Sequence, residues 1–330
     1  MPELTGTAVL ILVAGFVFAF TNGWADAVRS ISTAVSTRVW SPLQAVLLAG
    51  VANALGALFG SEVARVVGLS ILPPGPDAPP VALAALFAGL LWVAVATASG
   101  FPVSSSHALL GGLVGAGLAR SGWGVLATKG FKLVLAAAVL GPLGAGLGGW
   151  ALLALLRALL GGQPVGLVHR WLRHLQVLSA AALCAGHGTS DGQKVMGVLA
   201  LGLGAAPVLA RSEVPAHVRL TVAIALGLGT AVGGWAVVRS LGVRVLHLDP
   251  PSGFATETSS AALLLLAAAT GAPVSATHAV TGAILGVGAA GRTGIVRWGL
   301  AGPVLWVWAV TLPGAAAVGY ALVRLQAVLP

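Results

Sequence analysis

The sequence predicts an all-α polytopic membrane protein built from two inverted-topology repeats, each with a broken signature helix and a re-entrant helical hairpin. Three observations carry that reading. Of 330 residues, 58% are hydrophobic and 8% are charged, against about 25% charged in soluble domains, so water cannot be the solvent for most of this surface. A polar island, TNGWADAVRSI at 21–31, recurs as GHGTSDGQKVM at 186–196, aligning Gly23 with Gly188, Asp26 with Asp191 and Arg29 with Lys194. A second motif, GFPVSSSH at 100–107, recurs as GAPVSATH at 271–278. Two motifs repeated in one order mark a duplicated unit, and duplicated membrane proteins place their site where the copies meet.

Composition narrows the classes further. The net charge of +9 comes from 17 basic and 8 acidic residues. The basic ones stand singly in short loops, where they anchor helix ends, so no nucleic-acid partner is expected. Cys184 is the single cysteine, which excludes an intrachain disulfide and a cysteine metal cage. The start, MPELTGTAVL, lacks the basic n-region of a signal peptide, and its apolar run leads into the first polar island. It is expected to stay as a helix.

A bilayer core of about 30 Å takes roughly 20 apolar residues per helix. The first apolar stretch, from about Leu4 to Ser36, is too long for one straight crossing. It is expected to break at Asn22–Gly23, since glycine costs about 1 kcal/mol in a helix interior. Pro42 opens the next helix, expected to continue to about Val67, and ILPPGPDAPP follows as a loop that no helix interior would tolerate. Apolar arms at about 81–98 and 105–119 flank SGFPVSSSH. The second arm is short for a crossing, which predicts a re-entrant hairpin with its polar tip at mid-depth.

A helix from about Phe131 to Leu156 closes the first repeat, residues 1–156. Residues 157–174 are expected as a linker loop, and the pattern returns in the second repeat, 175–330. There the expectation is a broken helix at 175–204, a helix at 219–238, a hairpin at 254–290 and a final helix from Val296 to Arg324. Three crossings per repeat invert the second copy. Basic residues divide seven against eight between the two sides, so the positive-inside rule sets no orientation.

An ionised side chain at the bilayer centre costs about 2.5–3.5 kcal/mol on insertion scales. Asp26 and Arg29, like Asp191 and Lys194, stand at i,i+3 and share one helical face, where acid and base can neutralise each other. Asn22, His187, Ser190 and Gln193 add donors and acceptors beyond what a closed ion pair needs. That surplus points to a site for an ion rather than to a lock for the fold.

The PVSSSH and PVSATH tips have their own logic. A serine caps the outgoing helix, whose N-terminus turns unpaired N–H groups and a partial positive charge toward the tip. With Ser104, Ser105 and Ser106 on one tip and Ser275 and Thr277 on the other, the pattern reads as an oxyanion cradle. His107 and His278 are expected to bond a carbonyl of the adjoining arm, with direct contact to substrate or a proton relay as the sharper alternative. Glu257 has no basic residue within four positions and is expected as an ion ligand or a protonated carboxyl. Glu62 and Arg65 read as a helix-end pair. GGLVG at 111–115 and GAILG at 282–286 read as close-packing faces.

These residues resemble the inorganic phosphate transporter (PiT) family of secondary carriers, in the manner of a short bacterial member. The likeness lies in TNGWADAV, GHGTSDGQKVMGV, PVSSSH, PVSATH and GGWAVVRSLG leading to GFATETSSAA. The resemblance implies a symporter in the cell membrane that moves inorganic phosphate by alternating access, coupled to Na⁺ or H⁺. It needs no other cofactor. Ser104, Ser105, Ser106, Ser275, Thr277, Gln193, Lys194 and Arg29 would then face phosphate. Asn22, Asp26, His187, Ser190, Asp191 and Glu257 would serve the coupling ion, with Na⁺ at Asp26 and Asp191.

Departures from the family pattern are Ala25 and Ser190, where Na⁺-coupled members carry Asn before the acid, and Arg29, where another Asn is usual. These favour H⁺. Ala276 also removes one tip hydroxyl. A sulfate or other tetrahedral-oxyanion permease of the same architecture is the alternative. An intramembrane Ser/His hydrolase is remote, because Ser104 and His107 are three residues apart and no G-x-S-x-G elbow is present. The chain is therefore expected not to be an enzyme. Its partners would be phosphate, a cation and the bilayer, with the oligomeric state open, a homodimer included.

Overall fold

The computed structural model describes residues 6–101, 103–240, 248–290 and 301–326. They form α1 (Gly6–Ser36), α2 (Pro42–Ala57), α3 (Glu62–Ser70), α4 (Ala78–Ala98), α5 (Ser105–Ser121) and α6 (Lys129–Leu160). The chain continues with α7 (Val165–Gly202), α8 (Ala206–Ala210), α9 (Ala216–Ser240), α10 (Pro250–Thr270), α11 (Ala276–Ala290) and α12 (Ala301–Gln326). No strand occurs among the described residues. Among the described residues, six helices are long and apolar enough to cross a membrane, or seven if α2 and α3 count as one bent span. The chain is a multi-pass, all-α membrane protein.

The second signature helix, α7, is absent from that apolar set because it sits at the centre. Every residue from Gly186 to Gly202 is buried, so protein rather than lipid surrounds its polar side chains. Leu147, Leu178 and Trp306, by contrast, are about 70% exposed (68%, 69% and 70%), the pattern expected of side chains that face lipid.

Neither signature helix is broken. Both α1 and α7 run as continuous helices through Gly23 and Gly188. The glycines serve close approach instead. A Cβ on Gly23 would collide with the Leu226 carbonyl of α9, and one on Gly188 with the Asn53 carbonyl of α2. The contacts are reciprocal, since Gly229 of α9 rests on the Phe20 carbonyl of α1, and Gly56 of α2 on the Ala185 carbonyl of α7. The break falls in the next helix, which was expected to run unbroken from Pro42 to about Val67. There α2 and α3 bend by 62°, with Gly60 at φ +79.

Side chains satisfy the backbone freed at that bend. Gln193 Oε1 accepts from Val63 N (2.8 Å) and its Nε2 donates to the Phe59 carbonyl (3.4 Å). Arg219 donates to the Leu58 and Gly60 carbonyls. The stretch 157–174, expected as a linker loop, is helical at both ends, with only Gly161–Pro164 between α6 and α7. The beginning expected for the last helix, at Val296, lies outside the described residues.

The halves interlock. α1 packs on α9 and α7 on α2 and α3, while hairpin helix α5 packs on α12 and α11 on α6. The expected small-residue faces form the last two seams. Gly111 and Gly115 rest on the Leu312 and Ala316 carbonyls of α12, and Gly282 and Gly286 on the Pro142 and Gly146 carbonyls of α6. Without a hydrophobic drive between helices in lipid, such close backbone contact is a main source of association.

Gly188→Ala should therefore lower the melting temperature of the detergent-solubilised protein by an amount equivalent to about 1–3 kcal/mol of overpacking. Gly166→Ala, where a Cβ meets nothing within 4 Å, should leave it unchanged or raise it. Equal losses at the two positions would contradict the close-approach assignment.

Candidate functional site

The two polar islands and the two tips converge on one buried cluster. α1 supplies Asn22 and Asp26, and α7 supplies His187, Ser190, Asp191 and Lys194, each at most 1% exposed. Each tip ends in a serine that caps its outgoing helix. Ser104 Oγ accepts from His107 N (3.2 Å) and Ser275 Oγ from His278 N (3.3 Å). The same two hydroxyls meet at 2.8 Å, so α5 and α11 begin beside each other. Their N-termini both bring partial positive charge to this point. The point lies along the length of α1 and α7 rather than beyond their ends, although α5 with the turn after it, Ser105–Ala127, is itself long and apolar enough to cross a membrane, where a shorter arm was expected.

Asp26 ties both tips to α1. Its carboxylate accepts from Ser105 Oγ (2.7 Å) on the first tip and from Thr277 Oγ1 (3.0 Å) on the second. Asn22 Nδ2 donates to Ser105 Oγ (2.9 Å) and to Asp191 Oδ2 (3.4 Å). His187 Nε2 lies 3.3 Å from Asp191 Oδ2 and 3.9 Å from Asp26 Oδ2, while its Nδ1 sits 2.6 Å from Asn53 Oδ1. Ligand atoms of Asp26, His187 and Asp191 all fall within 4.8 Å of one another, close enough to share one cation. Asn22 Oδ1 and His107 Nε2 are buried without a hydrogen-bond partner among the described residues.

The expected acid–base pair on α7 is present. Lys194 Nζ is 2.5 Å from Asp191 Oδ1, and it also donates to Ser106 and Ser190 (3.2 Å each) and to the Val274 carbonyl. The corresponding side chain in the first half, Arg29, lies outside the described residues. Of the predicted set, Asn22, Asp26, Ser104, Ser105, Ser106, His187, Ser190, Asp191, Lys194, Ser275 and Thr277 come together.

Two predicted residues stand elsewhere. Gln193 is occupied at the α2–α3 bend. Glu257 is fully buried in a separate polar pocket, accepting from Gln176 Nε2 (3.0 Å) and Ser179 Oγ (2.7 Å). Ser179 is 12 positions before Asp191 on α7, about 18 Å along the axis. The tip histidines make ring contacts. His107 and His278 meet edge to face at 4.2 Å, and His278 stacks on Trp308 at 3.7 Å. The expected Glu62–Arg65 pair forms at the surface (2.7 Å).

Asn53 and Trp308 were missed by sequence reasoning. Asn53 is a lone amide in an apolar run and Trp308 is one of two tryptophans in LWVWAV, and only the long-range packing shows what they touch. Asn53, an amide in AGVANALGA, carried the stronger signal, since an uncompensated amide in a membrane helix needs a partner.

A family model described as the phosphate transporter family matches residues 22–167 and 161–319 of the chain. A protein named "Probable low-affinity inorganic phosphate transporter" from Rhizobium meliloti is 44% identical over 322 residues, covering 96% of this chain and 94% of its own. One of the same name from Bacillus subtilis is 34% identical, covering 97% of each. Among solved structures, one titled "The sodium-dependent phosphate transporter" superposes with a TM-score of 0.84 at 23% identity, covering 99% of this chain and all of that one. That likeness shows the fold.

The Asp191–Lys194 pair yields a stability test. Asp191→Asn leaves a buried ammonium without its counter-charge and should destabilise by about 3–5 kcal/mol, whereas Asp191→Asn with Lys194→Met removes both charges and should recover most of that loss. Additive losses in thermal melts of the single and double variants would show that the pair is not coupled.

Proposed function

The chain belongs to the phosphate transporter family, and from that premise we propose that it is a symporter moving inorganic phosphate across the membrane by alternating access, coupled to H⁺ or Na⁺. The observation that carries the proposal is the meeting of the tips. Hydroxyls from both halves converge at the Ser104–Ser275 contact, with Asp26 bonded to the neighbouring Ser105 and Thr277 and Lys194 to Ser106. A tetrahedral oxyanion suits that arrangement. Its oxygens take the Ser104, Ser106 and Ser275 hydroxyls together with the N–H groups at the starts of α5 and α11, while the single O–H of Ser105 and of Thr277 goes to Asp26.

A carboxylate beside the cradle suits a substrate that carries a proton near neutral pH. Phosphate does, which favours it over sulfate. Asp26, His187 and Asp191 would hold the coupling ion, as their shared approach suggests. Loading that ion removes negative charge from beside the cradle, so ion and anion bind with positive cooperativity. In our reading the halves are inverted copies, and their glycine seams supply the surfaces along which one group of helices rocks against the other. Relatives named as transporters argue against an enzyme.

Uptake of labelled phosphate into proteoliposomes tests this directly. Accumulation should require an inward pH gradient or an inward Na⁺ gradient and should survive excess cold sulfate. No uptake under either gradient, or full suppression by sulfate, would contradict it. Ser105→Ala and Thr277→Ala each remove a hydroxyl that bonds the charged centre, and such bonds are worth about 1.5–3 kcal/mol. Each substitution should cut uptake at subsaturating phosphate by about tenfold or more.

A further inference from the structure

Lys194 looks at first like a phosphate ligand, yet its donors are spent. An ammonium carries three N–H donors, and this one already faces four oxygens: Asp191 Oδ1, Ser190 Oγ, Ser106 Oγ and the Val274 carbonyl. The side chain is 1% exposed, and its helix is buried on all sides at this level. No donor remains to point at the cradle.

The partners are a carboxylate, two hydroxyls and a backbone carbonyl, drawn from three separate elements. Hard cations prefer such all-oxygen shells, and carriers of this general build use freed carbonyls and helix ends to hold Na⁺. The carbonyl comes from the second tip, just before α11. Ser106 comes from the first turn of α5, while Ser190 and Asp191 share one face of α7 with Lys194. Ser190 also donates to the Val274 carbonyl (3.1 Å), so the shell is closed by its own hydrogen bonds as well as by the ammonium.

We infer that the Lys194 ammonium is a tethered counter-ion, filling a cation site built from Asp191, Ser190, Ser106 and the Val274 carbonyl that a free Na⁺ would otherwise take. The covalent tether means that the site is filled at every Na⁺ concentration and holds both tips against α7 without drawing on an ion gradient. For transport, which rests on the phosphate-carrier reading above, one positive charge in the site is built in rather than carried as cargo.

The test replaces the tether by an ion. Wild type and Lys194→Ala are purified in detergent, and their melting temperatures are compared in NaCl and in equimolar choline chloride. Lys194→Ala should lose stability in choline and regain it in NaCl, with a Na⁺-specific rise of about 3 °C or more beyond any shift that wild type shows. Equal Na⁺ shifts in the two proteins would overturn the inference.

If Lys194→Ala cannot be purified in either salt, Lys194→Gln is read the same way. Its amide keeps part of the stem and supplies an oxygen to the ion, so a Na⁺ shift no larger than that of wild type would again overturn the inference. Phosphate uptake by the same variant separates the two readings. Uptake that falls at least tenfold in choline and returns in Na⁺ supports both. Melting rescue without any phosphate uptake, in wild type as in the variant, would leave the tethered ion standing and remove the carrier.

Discussion

Keeping Asp26, Asp191 and Lys194 buried at the level where α1 and α7 cross the hairpin tips is the constraint from which the rest follows. Each such charge costs about 2.5–3.5 kcal/mol on insertion scales when alone in a bilayer, and far from water no solvent shell repairs an unpaired one. The chain answers with hydroxyls and carbonyls. Asp26 takes donors from both tips, and Lys194 is ringed by oxygens from the two tips and its own helix. The tip partners, Ser105, Ser106, Val274 and Thr277, come from where two helices begin, which is why each hairpin must turn beside the signature helices.

That demand sets the packing. Hydroxyl side chains reach only a short way, so the helices carrying them must approach to backbone contact. The glycines at positions 23, 56, 188 and 229 do this around α1 and α7, and those at 111, 115, 282 and 286 do it behind the tips. Each seam joins an element of one half to an element of the other, so neither half could build the cluster alone. Charge placement and interlocking are one solution to one problem.

Much of this was legible in the residues. The duplicated islands and tips named nearly every member of the cluster, because an acid, a base or a run of hydroxyls inside an apolar stretch has few physical explanations. The errors were of another kind. Glycine in a helix reads as a break by propensity, yet at Gly23 and Gly188 tertiary contact outweighs a cost of about 1 kcal/mol. The actual break, at Leu58–Ser61, is held by Gln193 and Arg219 through bonds that span 130 and 161 positions, and no local pattern carries that. The same holds for Glu257. Its lack of a nearby base was correctly visible, but that Gln176 and Ser179 would serve it depends on how α10 meets α7.

The central claim is that one oxyanion is held by both tips at once, and a structure determined with phosphate bound tests it most directly. The account predicts density for the anion within hydrogen-bond distance of hydroxyls from both Ser104–Ser106 and Ser275–Thr277, beside Asp26. Density on one tip only, or in a position remote from Asp26, would contradict it.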